Sequence, residues 1–237
     1  MMGVHGKDRM DSTVEHYTGV AGERYFARQR RLGEAGYRIE ARKFAPHIRP
    51  TDSVLDFGCG SGAMVQALEC ARRLGVEINP AARARAAAAG VEVVPGLAAV
   101  PTGSVDVVVS NHALEHVPAP LSVCVEFLRV LRPGGRVVVC VPFDDWRRQR
   151  SHRADDANHH LYTWTPLLLG NLLSDAGLEV LGCAVLSQAW PPGWRWLDAH
   201  VPPRAFALLC AAWAHLSLQH QVLGLARRSL EGVARET

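Results

Sequence analysis

Between residues 53 and 141 short apolar runs alternate with amphipathic stretches. Ser53-Val54-Leu55-Asp56-Phe57 reads as a buried strand, and residues 61–71 have helical spacing. Gly75-Val76-Glu77-Ile78 ends a second strand, Pro80 starts a helix that runs through Ala89, and Val91-Glu92-Val93-Val94 is a short third strand. Residues 105–110, nearly all β-branched, predict a fourth strand. Residues 121–131 predict an amphipathic helix, closed by Arg132-Pro133-Gly134-Gly135, and residues 136–141 a fifth strand. Strands built of continuous apolar runs and separated by helices predict an α/β fold whose parallel sheet is covered on both faces.

The flanks are less regular. Residues 1–15 are polar and read as a loose tail, and residues 19–44 suit helices broken at Gly33 and Gly36. Residues 143–160 are polar and charged without apolar periodicity, the signature of a disordered segment or a functional loop. Thr165-Pro166 then caps and opens a helix that stops at Gly177. A sixth strand is expected at 178–186, a strongly apolar helix at 206–218 and a last strand at 221–226. The chain divides into an N-terminal segment, 1–49, and a main domain, 50–237, with the polar loop at 143–160 and an apolar helical insertion at 190–218.

Composition narrows the class. The 237 residues are 48% hydrophobic and 21% charged, which supplies a full core and excludes disorder over most of the chain. Six cysteines without CxxC pairing read as reduced, buried thiols. A net charge of +3 is too small to argue for nucleic acid. No apolar stretch approaches the roughly 20 residues of a membrane span, and no signal peptide is visible. A cytoplasmic protein is the expectation. The Trp-rich stretch 190–196 and the apolar helix after it suit core packing, an apolar pocket or a homodimer contact, with packing the default.

The chemistry concentrates where strands end. Asp56-Phe57-Gly58-Cys59-Gly60-Ser61-Gly62 follows the first strand, and alternate glycines let the backbone turn tightly and approach a ligand. A dinucleotide loop reads GxGxxG; this one reads GxGxG. Asp56, two residues before the first glycine, repels a pyrophosphate and favours a ligand carrying an ammonium, such as the methionyl end of S-adenosylmethionine. Glu77 lies 21 residues after Asp56, at the tip of the second strand, where a carboxylate accepts both ribose hydroxyls. Ser110-Asn111-His112-Ala113-Leu114-Glu115-His116-Val117 follows the fourth strand at the carboxyl edge of the sheet. A helical turn there would bring His112 and His116 to one side.

Taken in order, VLDFGCGSG, GVEINP, VDVVVSNHALEHV and LRVLRPGGRVVVCVP resemble the class I S-adenosylmethionine-dependent methyltransferases, in particular the branch with ubiquinone-biosynthesis-type and other small-molecule enzymes. The resemblance spans about residues 50–190 and implies a doubly wound, mostly parallel seven-stranded sheet of order 3-2-1-4-5-7-6, last strand antiparallel. It implies that Asp56, Gly58, Cys59 and Gly60 line the methionine part of the cofactor, that Glu77 binds the ribose and Ile78 the adenine face, and that Asn111 and His112 lie near the sulfonium. Relatives often carry an acid after strand three. This chain has none across 95–100, which leaves adenine to backbone groups and Leu97.

For the acceptor, His116 is expected as base or orienter, with His112 beside it. Glu115-His116 is similar to a carboxylate–histidine pair that some relatives use for a divalent metal, but no metal is assigned. The segment around His160 and Tyr162 resembles one that closes over the substrate. Tyr25, with Tyr17 and Phe26, would belong to N-terminal lid helices. The expected function is methyl transfer to a small molecule, favoured at oxygen because a histidine base matters most there. The rivals are N- or C-methylation, a non-catalytic cofactor-binding partner subunit, a nucleic-acid methyltransferase and a nucleotide-dependent dehydrogenase. Weak charge and the absence of an Asn-Pro-Pro-aromatic motif count against nucleic acid, and the GxGxG spacing against a dehydrogenase.

Overall fold

A computed structural model of the chain describes residues 16–19, 22, 26, 27, 32–153, 156 and 158–230. The tail expected at 1–15 and the site residue Tyr25 lie outside these.

Seven strands form one sheet: β1 (Ser53–Phe57), β2 (Arg72–Val76), β3 (Glu92–Val94), β4 (Val105–Asn111), β5 (Leu131–Asp144), β6 (Glu179–Leu186) and β7 (Gln219–Arg227). Their order is β3-β2-β1-β4-β5-β7-β6. β7 runs antiparallel to both β5 and β6, and the remaining pairs are parallel. The expected topology is therefore present. The helices are α1 (Gly33–Ala41), α2 (Ala63–Gln66), α3 (Pro80–Ala88), α4 (Pro120–Val130), α5 (Pro166–Asp175), α6 (Trp194–His200) and α7 (Pro203–Ser217).

Alternation along the central strands feeds two cores. Val105 and Val108 of β4, with Val137, Val139 and Val141 of β5, face a layer that contains Phe127 of α4 and Leu173 of α5. Val107, Val109, Val138 and Cys140 face the opposite layer, with Ala41, Phe44, Met64, Val65 and Ala86. Each fully buried valine contributes about 1.5–3 kcal/mol relative to exposure. A third cluster joins Ile39 of α1 to Phe206 and Cys210 of α7, with Trp190 and Trp194 against it. The apolar insertion thus packs on the N-terminal helix. Leu208 and Leu216 on the other side of α7 stay exposed. No helix among the described residues is long and apolar enough to cross a membrane. All six cysteines are free, and five are buried.

Several boundaries differ from expectation. The helix expected over 61–71 is a single turn, because the chain doubles back by Ala71, whose N–H donates to the Asp52 carbonyl. β2 begins earlier, at Arg72 and Arg73. These charged residues escape the apolar pattern because Arg72 pairs across the edge with Glu92. β5 extends back through Arg132-Pro133-Gly134-Gly135, which was expected to close the helix as a turn. The irregular Trp-rich stretch contains α6. The caps follow expectation: Thr165 Oγ1 accepts from Leu168 N (3.2 Å) and Pro166 is the first residue of α5.

Candidate active site

A cavity of about 1090 Å³ opens over the carboxyl ends of β1, β2 and β4, the position where open α/β sheets bind ligands. The turn after β1 builds its floor. Gly58, Gly60 and Gly62 have φ of 75°, 55° and 77°, conformations that cost any other residue strain. A Cβ on Gly58 would lie 2.7 Å from that of Ala113, so only glycine lets this turn sit against the segment after β4. Gly58 and Cys59 both donate to the Val76 carbonyl, at 2.8 and 3.1 Å, which ties the turn to the end of β2. Cys59 is buried, and burial pushes its thiol well up, so it lines the cavity as an uncharged group.

Glu77 lies one residue past β2. Its Oε2 accepts from Gly60 N (2.9 Å) and its Oε1 from Asn79 N (2.8 Å). Each oxygen keeps a second lone pair, so a diol can be received by a carboxylate the backbone already holds in place. Burial raises its carboxyl despite those N–H groups. Asp56 is 2% exposed, and burial together with the Glu77 charge pushes it up to about 8. A positively charged ligand beside this pair would favour the ionised form of both acids. Ile78 is 41% exposed at the rim and lines the cavity. Leu97 does not: it is buried in the core beside Leu74 and Val76, and its carbonyl accepts from Arg129.

The segment after β4 turns inward at His112, which has φ of 53°, a strained conformation of the kind that clusters at functional sites. His112 Nδ1 is 3.2 Å from Glu115 Oε1. Burial opposes its protonation, but hydrogen bonding to Cys140 and Glu115 prevails and pushes the imidazole up to about 10. His112 therefore holds its proton more firmly than an ordinary imidazole does. Glu115 is fully buried, and its Oε2 has no hydrogen-bond partner among the described residues. Its carboxyl is depressed because His112 and His116 outweigh its burial.

His116 lies on a 3₁₀ turn, Leu114–His116, rather than an α-helical one. Its imidazole is held below the ordinary range, chiefly by burial, and so is neutral at pH 7. Tyr17 Oη is 2.7 Å from its Nδ1 and donates to the Asn158 carbonyl at 3.0 Å. His160 packs edge-on against the His116 ring at 5.1 Å and bonds Asp144 Oδ2 at 3.0 Å. Desolvation opposes the His160 charge, but Asp144 raises its imidazole. Glu115, His116 and His160 bring ligand-type atoms within 4.8 Å of one another.

His160 lines the cavity, whereas Tyr162 does not. Its hydroxyl donates to the Pro118 carbonyl (2.9 Å) and its ring is half-exposed, so it braces the loop rather than reaching the acceptor space. Trp164, two residues on, is buried in the core. Tyr17 and Phe26 line the cavity from the N-terminal segment, and Trp190 and Trp194 from the insertion. Sequence reading missed Glu40 and Lys43. Their signal was available: two charged residues three apart, next to Ile39 on the apolar side of α1, are out of place unless they are paired.

Comparison with known proteins gives a consistent picture. A family model described as a methyltransferase domain matches residues 26–182. The "Probable methyltransferase ltbC" of Aspergillus luteorubrus is 30% identical over 147 residues, 52% of this chain and 50% of that protein. A ubiquinone biosynthesis O-methyltransferase of Nitrosococcus oceani is 36% identical over 96 residues, 35% of this chain and 41% of that one. The chain therefore spans about half, or less, of the length of these relatives. A solved SAM-dependent methyltransferase from Thermotoga maritima superposes with a TM-score of 0.66 at 16% identity, covering 92% of this chain and 100% of that one, a likeness of fold.

Proposed function

The chain belongs to the methyltransferase-domain family, and on that footing we propose that it transfers a methyl group from S-adenosylmethionine to a small-molecule acceptor, at oxygen. The residues fit the cofactor. Glu77 offers two backbone-held oxygens to a ribose, the glycine turn leaves room for a close approach, and Asp56 and Glu77 favour a cation over a diphosphate. Bound there, S-adenosylmethionine supplies a methyl group on a positively charged sulfur. Asp56, Gly58, Cys59 and Gly60 line the methionyl side, Ile78 the adenine side, and Asn111 and His112 the neighbourhood of the sulfur.

The observation that carries the oxygen assignment is the contrast between two histidines four residues apart. His112 is charged and locked on Glu115, while His116 is neutral in the cavity wall. A neutral imidazole takes the proton of a hydroxyl as it attacks. The protein's further contribution is alignment and exclusion of water, for which Tyr17, Phe26 and His160 enclose the space. Arg148, His152 and Arg153 on the polar loop also line it and suit an acceptor with an anionic group.

The test is methyl transfer to a panel of phenolic and aliphatic hydroxy compounds, read by mass spectrometry. His116→Ala should lower turnover by about 10²–10⁴-fold with cofactor affinity unchanged. At saturating cofactor, wild-type activity should fall only on the acid side of about 6.5, the ordinary imidazole value. Turnover should survive a chelator. Loss of activity with EDTA and recovery with Mg²⁺ would instead give Glu115, His116 and His160 to a cation, and wild-type turnover in His116→Ala would remove the base.

A further inference from the structure

The cavity holds another carboxylate, on the side of the glycine turn away from Glu77. Glu40 and Lys43 lie one turn apart at the end of α1, and both are buried. Lys43 Nζ donates to Glu40 Oε2 (2.5 Å), Asn111 Oδ1 (2.9 Å) and Gln221 Oε1 (2.9 Å). It also lies 3.4 Å from Cys140 Sγ, so its three protons are fully engaged. Asn111 Nδ2 donates to the same Glu40 Oε2 at 2.8 Å. Both hydrogen bonds to Glu40 thus fall on one oxygen. Oε1 has no partner among the described residues, and it is not among the buried polar atoms sealed off without one. Glu40 lines the cavity, so Oε1 is a fixed acceptor open to a ligand.

Strand order says which part of a ligand reaches it. Glu77, the ribose acceptor, stands at the end of β2. β1 comes next, then β4, where Phe57 aligns with Ser110 and Asn111 follows. A cofactor whose ribose is on Glu77 and which crosses the glycine turn therefore reaches Asn111 and Glu40 with its amino-acid end. We infer that Glu40 Oε1 accepts a hydrogen bond from the α-ammonium of the cofactor's methionyl group, with Lys43 and Asn111 as its positioning residues. The inference rests on the proposed cofactor site. Ionisation keeps Oε1 an acceptor: burial opposes it, but Lys43 and His112 hold the Glu40 carboxyl below the ordinary range. An ammonium is a donor-only group, and Oε1 is a carboxylate oxygen left without a donor among the described residues.

Three probes separate this inference from the cofactor reading. S-adenosylhomocysteine carries ammonium and carboxylate, its decarboxylated analogue only the ammonium, and 5′-methylthioadenosine neither. In calorimetry with the wild-type chain, the decarboxylated analogue should bind about tenfold or more tighter than methylthioadenosine, the usual yield of a charged hydrogen bond. Glu40→Gln should remove that margin for the two amines and leave methylthioadenosine unchanged. Lys43→Met should do the same by releasing the clamp. Equal wild-type affinity for the decarboxylated analogue and methylthioadenosine overturns the inference without any variant, so a misfolded Glu40→Gln does not protect it. A uniform loss for all three probes in a folded Glu40→Gln assigns Glu40 a structural role and overturns it too. If none of the three binds the wild type, the cofactor site itself falls.

Discussion

Asp56 and Glu77 show how one charge can be read differently by sequence and by space. Along the chain they are two acids 21 residues apart; in the fold they face one cavity, and Glu77 makes Asp56 harder to ionise. Asp56 carries the consequence, with its carboxyl pushed up to about 8 by burial and by Glu77. Below that pH it holds a proton in the ligand-free protein. A cofactor with a net positive charge favours the carboxylate, so binding should expel the proton. The affinity for S-adenosylmethionine should therefore rise with pH toward about 8 and level off above it. Calorimetry at neutral pH in phosphate and in Tris should give binding enthalpies that differ by the buffers' ionisation heats, in the sense of proton release. Identical enthalpies would mean that Asp56 is already ionised or stays protonated in the complex.

At the scale of elements the glycine turn and its neighbours carry the site, and its three glycines are not equivalent. Gly58 has φ of 75° and no room, with Ala113 Cβ 2.7 Å from where its own Cβ would stand. Gly60 has φ of 55° but nothing closer than the Phe26 ring at 3.9 Å. Gly58→Ala should cost about 2–4 kcal/mol, the sum of left-handed strain and overpacking, and Gly60→Ala about 1–2 kcal/mol from strain alone. Denaturant melts check the ranking, and a larger loss at Gly60 would mean that the turn is held by contacts other than Ala113. This turn was legible in the sequence because glycine spacing and strand ends are local signals. The sheet was legible for the same reason: β4 and β5 are buried on both faces and therefore read as unbroken apolar runs. The single-turn α2 was not, because the helical spacing of residues 61–71 is satisfied equally by a loop that buries Leu68 and Cys70. Leu97 was expected at the site from its place after strand three and Tyr162 from the resemblance; Leu97 packs in the core, and the Tyr162 hydroxyl donates to the Pro118 carbonyl.

Across the whole molecule, the cavity is enclosed by segments that are far apart in sequence. Tyr17 reaches His116 across 99 residues, and Lys43 reaches Gln221 across 178. No local pattern announces such pairs, which is why the glycine turn and the strand-end acids could be read from the chain while the Glu40–Lys43 clamp could not. The same enclosure makes ligand binding a test of the assembled architecture, since the floor comes from β1 and β2, the far wall from β4 and α1, and the cover from the N-terminal segment, the 158–160 loop and the Trp190–Trp194 insertion. The most direct measurement is calorimetry of the wild-type chain and of Glu77→Ala with S-adenosylhomocysteine and with NAD. The account predicts that the wild type binds S-adenosylhomocysteine and gives no heat with NAD, and that Glu77→Ala loses about 1–3 kcal/mol of that binding. Binding of NAD in place of S-adenosylhomocysteine, or an unchanged affinity in Glu77→Ala, would contradict it.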